Sequence, residues 1–169
     1  MIKVILVCMG NICRSPSGEA VMNKFVKKAG LENEIECDSA GTIAYHEGEQ
    51  ADARMKRHAI KRGYRLTSVA RKFREIDFEK FDYIIAMDNN NLRDLQSFDH
   101  KKRYSNKIFK MTDFAAEKKY NEVPDPYYSG PEGFELVLDI LEDSCAGLLE
   151  KIIIDHGLTR KSKETENAG

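Results

Sequence analysis

The chain has 169 residues, with 27 Lys and Arg against 28 Asp and Glu, for a formal charge of −1. That length allows one domain with a proper core, and the balanced charge gives no global reason to expect nucleic acid or an anionic membrane as partner. No apolar run is long enough to span a bilayer, the opening one is too short for a signal peptide, and Cys8, Cys13, Cys37 and Cys145 show neither C-x-x-C spacing nor a histidine set for zinc. A reducing cytoplasm, no metal and no cofactor are therefore expected.

The first element is Ile2-Lys3-Val4-Ile5-Leu6-Val7, a nearly continuous apolar run that reads as a buried strand of a parallel sheet. After it comes Cys8-Met9-Gly10-Asn11-Ile12-Cys13-Arg14-Ser15-Pro16, and then a helix expected from about Ser15 to Ala29, with Ser15 as its cap and Pro16 at its first position. A loop between a strand's C-terminal end and a helix N-terminus is where open α/β sheets bind ligands. Unpaired helix N–H groups favour an anion there. Gly10 and Asn11 both tolerate left-handed backbone angles, so successive amides can turn inward as a nest. Arg14 adds a fork that matches two phosphate oxygens. Cys8 at the base of this electropositive cup is expected to be a thiolate, a nucleophile aimed at phosphorus. A buried structural Cys in an ordinary strand–helix turn is the alternative. A nucleotide-binding Walker loop is excluded, because no Lys follows the glycine.

The segment Val7 to Pro16 resembles the phosphate loop of the low-molecular-weight protein tyrosine phosphatases. The resemblance extends over the chain up to its tail and implies a four-stranded parallel sheet. Strand–helix alternation independently argues for one doubly wound α/β domain with helices on both faces.

Ile35 to Gly41 reads as a second strand. The resemblance makes Ser39 a brace for the phosphate loop and Tyr45 a wall of the substrate cleft. From the residues alone, Ser39 is equally a turn residue and Tyr45 an exposed loop residue. His46 and His58 have no companions at ligand spacing and read as surface or satisfied residues. A helix is expected from about Ala51 to Gly63. Asp52-Ala53-Arg54 in it resembles a family Asp-x-Arg pair near the cleft wall, or is a solvated helix pair. In Ser68-Val69-Ala70-Arg71, Ser68 stands where the family often has a His that braces the loop.

Phe81 to Asp88 is the third strand, Asn89 to Phe98 a helix and Lys107 to Met111 a fourth strand. Asp113 to Gly130 is a long loop, of the kind that is commonly functional. It holds Asp125-Pro126-Tyr127-Tyr128, which resembles the family's acid loop. Asp113 and Glu122 share that loop, so position alone does not choose the acid. Pro126 and the two rings favour Asp125 by stiffening the backbone and partly excluding water. The last helix is expected from Pro131 to about Asp155 on an unbroken apolar stripe. Residues 1–158 then form the domain and 159–169 a charged, mobile tail.

The resemblance implies hydrolysis of phosphotyrosine in proteins. Cys8 is the nucleophile, Arg14 the phosphate clamp and Asp125 the general acid and base. The amides of Met9, Gly10, Asn11, Ile12 and Cys13 hold phosphate, Ser15 stabilises the Cys8 thiolate, and Ile12, Tyr45, Tyr127 and Tyr128 flank the substrate ring. An arsenate reductase on the same scaffold would need cysteines after the third strand, and Asp88-Asn89-Asn90-Asn91 has none. The family's arginine phosphatase branch favours Thr where Ile12 stands and lacks the paired tyrosines. A non-catalytic phosphate-binding module would have no use for Cys8 and Asp125 together. Finally, Cys13 shares the small loop with Cys8 and could close a disulfide upon oxidation.

Overall fold

The structure is a computed structural model describing residues 1–161. Four strands, β1 (Ile2–Cys8), β2 (Ile35–Gly41), β3 (Tyr83–Ala86) and β4 (Ile108–Lys110), form one sheet in the order β2-β1-β3-β4. All three pairings are parallel. The apolar run Ile2–Val7 lies in the centre because only a strand covered on both faces can bury consecutive apolar residues. Val4, Ile5, Leu6 and Val7 are all fully buried.

Alternate β1 side chains enter two separate cores. Val4, Leu6 and Cys8 pack with α1 (Arg14–Lys28), α2 (Ala53–Lys61) and α5 (Pro131–His156). Ile5 and Val7 pack with α3 (Glu75–Lys80) and α4 (Asn89–Phe98) on the opposite face. The doubly wound arrangement expected from strand–helix alternation is therefore present. Because the chain leaves β1 for β2 on one side and β3 joins on the other, the order reverses at β1. Its C-terminal end is the switch-point crevice.

Element boundaries follow the sequence closely, with two differences. The six-residue α3 has no counterpart in the sequence reading, since it is too short to show a 3.6-residue period. It is anchored instead by Asp77, whose carboxylate accepts from the Arg74 backbone N–H at 2.7 Å and from the Arg71 guanidinium at 2.9 Å. The second difference concerns the tail expected from Thr159. Lys161 N–H donates to the Ala29 carbonyl at 2.9 Å and Arg160 pairs with Glu150, while 162–169 lie outside the described residues. No helix among the described residues is long and apolar enough to cross a membrane.

One half-buried carboxyl pair lies between α1 and β2. Burial first, then the neighbouring Asp38 carboxyl, push Glu19 up to about 8 against the opposing pull of Arg71. In the unfolded chain Glu19 releases its proton near the ordinary carboxylate value, whereas the folded protein retains it up to about pH 8. The native state therefore binds the extra proton between these limits, and stability falls as pH rises through that window, by at most about 1.4 kcal/mol per pH unit for one proton. Thermal denaturation of wild type and Glu19→Gln across the window checks this. The Tm decline should flatten in the variant, and identical slopes would mean that Glu19 is ionised in the fold.

Candidate active site

The loop from Cys8 to Arg14 is shaped by Asn11. Its φ is +57°, in the left-handed region that Asn tolerates better than other side-chain-bearing residues. Gly10, also expected there, is not left-handed. Its lack of a side chain serves a close approach, since a Cβ on Gly10 would lie 3.0 Å from His46 Cδ2. The buried Asn11 side chain makes three hydrogen bonds. Its Nδ2 donates to Ser15 Oγ at 2.8 Å and to Ser39 Oγ at 3.0 Å, and its Oδ1 accepts from Arg71 N–H at 3.0 Å. The end of β2 grips the other side of the loop, with Thr42 N–H donating to Cys8 O at 2.9 Å and Ile43 N–H to Met9 O at 3.1 Å. Gly41 makes that approach feasible, because a Cβ there would stand 2.6 Å from Met9 O.

Cys8 Sγ lies at the floor of the cup, 3% exposed for the whole residue. It accepts from Asn11 N–H at 3.3 Å and contacts Ser15 Oγ at 3.0 Å. Ser15 is therefore not the helix cap that its position suggested. Helix α1 begins one residue earlier, at Arg14, with no side-chain cap, and the Ser15 hydroxyl turns inward to the sulfur. Pro16 is still accommodated, because the first turn has no carbonyl for its missing N–H.

Arg14 is almost fully buried. Its Nη1 donates to Asp88 Oδ2 at 2.5 Å and to the Val123 carbonyl at 3.1 Å, and its Nη2 lies 3.8 Å from Asp125 Oδ2. Burial opposes its charge, but Cys8, Asp88 and Asp125 more than offset that and raise its pKa above the ordinary arginine value. Asp88 was not singled out from the sequence. Its position at the C-terminal end of β3, where it also caps α4 by accepting from Asn91 N–H at 2.7 Å, is the signal that could have found it.

A cleft of about 300 Å³ opens above this floor. Cys8, Met9, Gly10, Ile12, Cys13 and Arg14 line its base and sides, and Tyr45, Asp125, Tyr127 and Tyr128 line it from other loops. Of the four acids in the long loop, Asp125 alone lines the cleft. Glu122 accepts from the Asn89 backbone at 3.1 Å, and Asp113 sits in a 3-10 turn, Met111–Phe114. The water-excluding role expected of the rings is not realised. Tyr128 is 95% exposed, and the Asp125 side chain remains 45% exposed. His46 is satisfied as expected, with Nδ1 2.6 Å from Glu49 Oε2, and it also lines the cleft with its ring edge-on to Tyr45. His58 is satisfied by Glu135 at 2.8 Å.

The Asp52–Arg54 pair joins two parts of the site. Asp52 N–H donates to Ile12 O at 2.8 Å, and its carboxylate caps α2 and holds Arg54 at 3.1 Å. The Arg54 guanidinium lies 5.2 Å from the Tyr127 ring and 5.0 Å from Phe134, the cation–π range. The phosphate loop and the segment carrying Asp125 are thus fastened to the same helix start. Ser68, where the resemblance expected a bracing His, has a buried hydroxyl with no partner, and Asn11 carries the brace through Arg71 instead. Among the described residues no group of three or more His, Cys, Asp or Glu could hold a metal ion.

A buried cysteine sulfur on a loop at a switch-point crevice, with a buried arginine beside it, is the layout of a cysteine-dependent phosphatase. A sequence profile of the low molecular weight phosphotyrosine protein phosphatases matches residues 3–159. The chain belongs to that family. It is 41% identical over 152 residues to the low molecular weight protein-tyrosine-phosphatase of Streptomyces coelicolor, covering 89% of this chain and 93% of the relative. The crystal structure of a protein tyrosine phosphatase from Entamoeba histolytica superposes with a TM-score of 0.88 at 49% identity, covering 93% of this chain and 99% of that one. A Drosophila arginine phosphatase structure superposes with a TM-score of 0.83 at 31% identity, covering 89% and 98%.

Two outcomes test the loop. Asn11→Ala removes three buried partners from a left-handed position and should cost roughly 3 kcal/mol of stability. Turnover of phenyl phosphate should fall with it, and an unchanged Tm would show that the loop holds without this side chain. Cys13 is kept as a thiol by burial first, and then by the charges of Asp52, Cys8 and Asp125. If it nevertheless traps an oxidised Cys8, condensing with the sulfenic acid to a disulfide and water, wild type should recover from peroxide upon adding a thiol reductant. Recovery should drop sharply in Cys13→Ser. Equal recovery would make Cys13 only a packed loop residue.

Proposed function

We propose that the chain hydrolyses phosphotyrosine in proteins through a cysteinyl-phosphate intermediate on Cys8. The observation that supports this most is the joint presence of Cys8, Arg14 and Asp125 in one cleft of about 300 Å³. The Cys8 thiolate attacks phosphorus in line, forming the S–P bond as the P–O bond to the phenol breaks. Arg14 and the amides of Met9 to Cys13 stabilise charge on the three equatorial oxygens. Asp125, protonated, gives its proton to the departing phenolate oxygen. A water then attacks phosphorus and loses a proton to the Asp125 carboxylate, while the S–P bond breaks. Ser15, 3.0 Å from Sγ, donates to the leaving thiolate.

Asp88 and the Val123 carbonyl position Arg14 so that its outer edge meets phosphate without reorganisation. Selectivity for tyrosine follows from depth. Cys8 is buried at the floor, whereas Tyr45 and Tyr128 stand at the rim with 81% and 95% of their surface exposed. A phosphate must therefore be carried down on a long, flat side chain. Ile12 and Tyr127 flank that ring, and a phosphoserine is too short to reach. The likeness to the arginine phosphatase structure motivates a second reading, in which the long side chain is phosphoarginine.

Rates on phosphotyrosine, phosphoserine and phosphoarginine peptides with one preparation separate these readings. Phosphotyrosine should give the highest kcat/KM, and comparable values on phosphoserine would remove the depth argument. The acid role is tested by a leaving-group series. General acid help is typically a factor of 10²–10⁴ and matters most for poor leaving groups. Asp125→Asn should slow phenyl phosphate strongly and esters of very acidic phenols much less, while Cys8→Ser abolishes both. Equal losses along the series would take the acid role away from Asp125.

A further inference from the structure

Four cations surround one depression at the end of α1 remote from the cleft. Lys24, Lys27 and Lys28 come from the last turns of α1, and Arg65 from the segment after α2. They line a cavity of about 460 Å³ with no acidic side chain in its wall. None of the four makes an ion pair among the described residues. Lys24 is partly fixed, with Nζ 3.1 Å from the Arg62 carbonyl and 4.9 Å from the Tyr64 ring centre. In a chain of net charge −1, such a concentration needs a reason.

Helix α2 carries the same charge back toward the cleft. It contains no Asp or Glu between Ala53 and Lys61, and Arg57 and Lys61 are exposed on its outer face. On the side of α2 that faces α5, Arg62 meets three carboxylates, Glu135, Asp139 and Glu142, so the unopposed positive charge of α2 is confined to the side that bears Arg57 and Lys61. At its start, Asp52 bonds to Ile12 of the phosphate loop. The exposed cations of α2, Arg57 and Lys61, therefore lie between the helix start at the phosphate loop and the depression.

We propose that the depression and the outer face of α2 form a docking surface for an acidic segment of the phosphoprotein substrate. It is engaged while phosphotyrosine fills the cleft, and so rests on the phosphatase reading. Continuity with the cleft favours a substrate chain over a bilayer. The α2 face exposes one large apolar residue, Ile60, which is too little to anchor in lipid. Lys24 to Lys28 lie ten to fourteen residues along α1 from Arg14, or about 15–21 Å at 1.5 Å per residue. An extended peptide covers that in roughly five to seven residues. An acidic run about five to seven residues from the phosphotyrosine is thus the matching chemistry. Single exposed charge pairs contribute little, but several acting together raise association rates and lower KM in a salt-dependent way.

The test uses two phosphotyrosine peptides that differ only in a run of Glu or of Ser at that spacing, made with the run on either side. Wild type and Lys27→Glu/Arg65→Glu are assayed at low and high salt, with phenyl phosphate as the small control. In wild type at low salt, kcat/KM should favour the acidic peptide by about tenfold with the run on one side, mainly through KM. The preference should vanish in high salt and in the variant, while phenyl phosphate and the Ser peptide turn over as before. Equal values for both peptides in wild type, or a preference that persists in the variant, would overturn docking. So would a variant that loses binding to phosphatidylserine vesicles yet keeps the peptide preference. Turnover of phenyl phosphate in all these cases leaves the phosphatase reading standing, and its absence throughout would sink both.

Discussion

The site depends on one buried amide. Asn11 occupies a left-handed position at the turn of the phosphate loop, and its side chain bonds to three different parts of the fold: α1 through Ser15, β2 through Ser39 and the segment after α2 through Arg71. A loop that presents its own N–H groups to an anion cannot use them to hold itself together. Something else must supply the internal bonds, and an Asn side chain with two donors and an acceptor does so without adding charge next to the nucleophile. The cup thereby stays electropositive and rigid at once.

Around that loop, charge is arranged in layers. Arg14 is buried against Asp88 on its far side, which stabilises the guanidinium in a place where an unpaired charge would be costly and aims it at the cleft. Asp125 is different. It stays half open to solvent on a separate loop, 3.8 Å from Arg14, the exposure that the proposed acid role calls for. Arg14 is held by burial, and Asp125 by tethering.

That tether runs through α2. Asp52 holds the phosphate loop at Ile12 and also holds Arg54, which lies against Tyr127 two residues beyond Asp125. Phe134 backs the guanidinium and stacks in turn on His58. A short stack of flat groups thus sets the distance between the Cys8 loop and the Asp125 loop. Both sit on loops, but both loops are fastened to the first turn of one helix.

The sequence by itself determined the sheet, most of the helices and the loop that brings Cys8 and Arg14 together. Consecutive β-branched and apolar residues can be satisfied only by burial on both faces, and long apolar stripes only by packing. A Cys, a Gly-Asn turn and an Arg between such a strand and a helix leave little else to build than an anion cup. The sequence was less informative where a role depends on distant chain segments meeting. Ser15 reads as a cap locally, yet its hydroxyl is claimed by Cys8 and Asn11. Asp88 reads as the end of a strand, yet lies under Arg14, 74 positions away. His46 enters the cleft because Gly10 leaves room for its ring, and Tyr128 extends into water instead of shielding Asp125. Local pattern encodes backbone geometry and burial, because those depend on near neighbours. Hydrogen-bond partnership and exposure depend on which loops the sheet order brings together, and that only the tertiary structure decided.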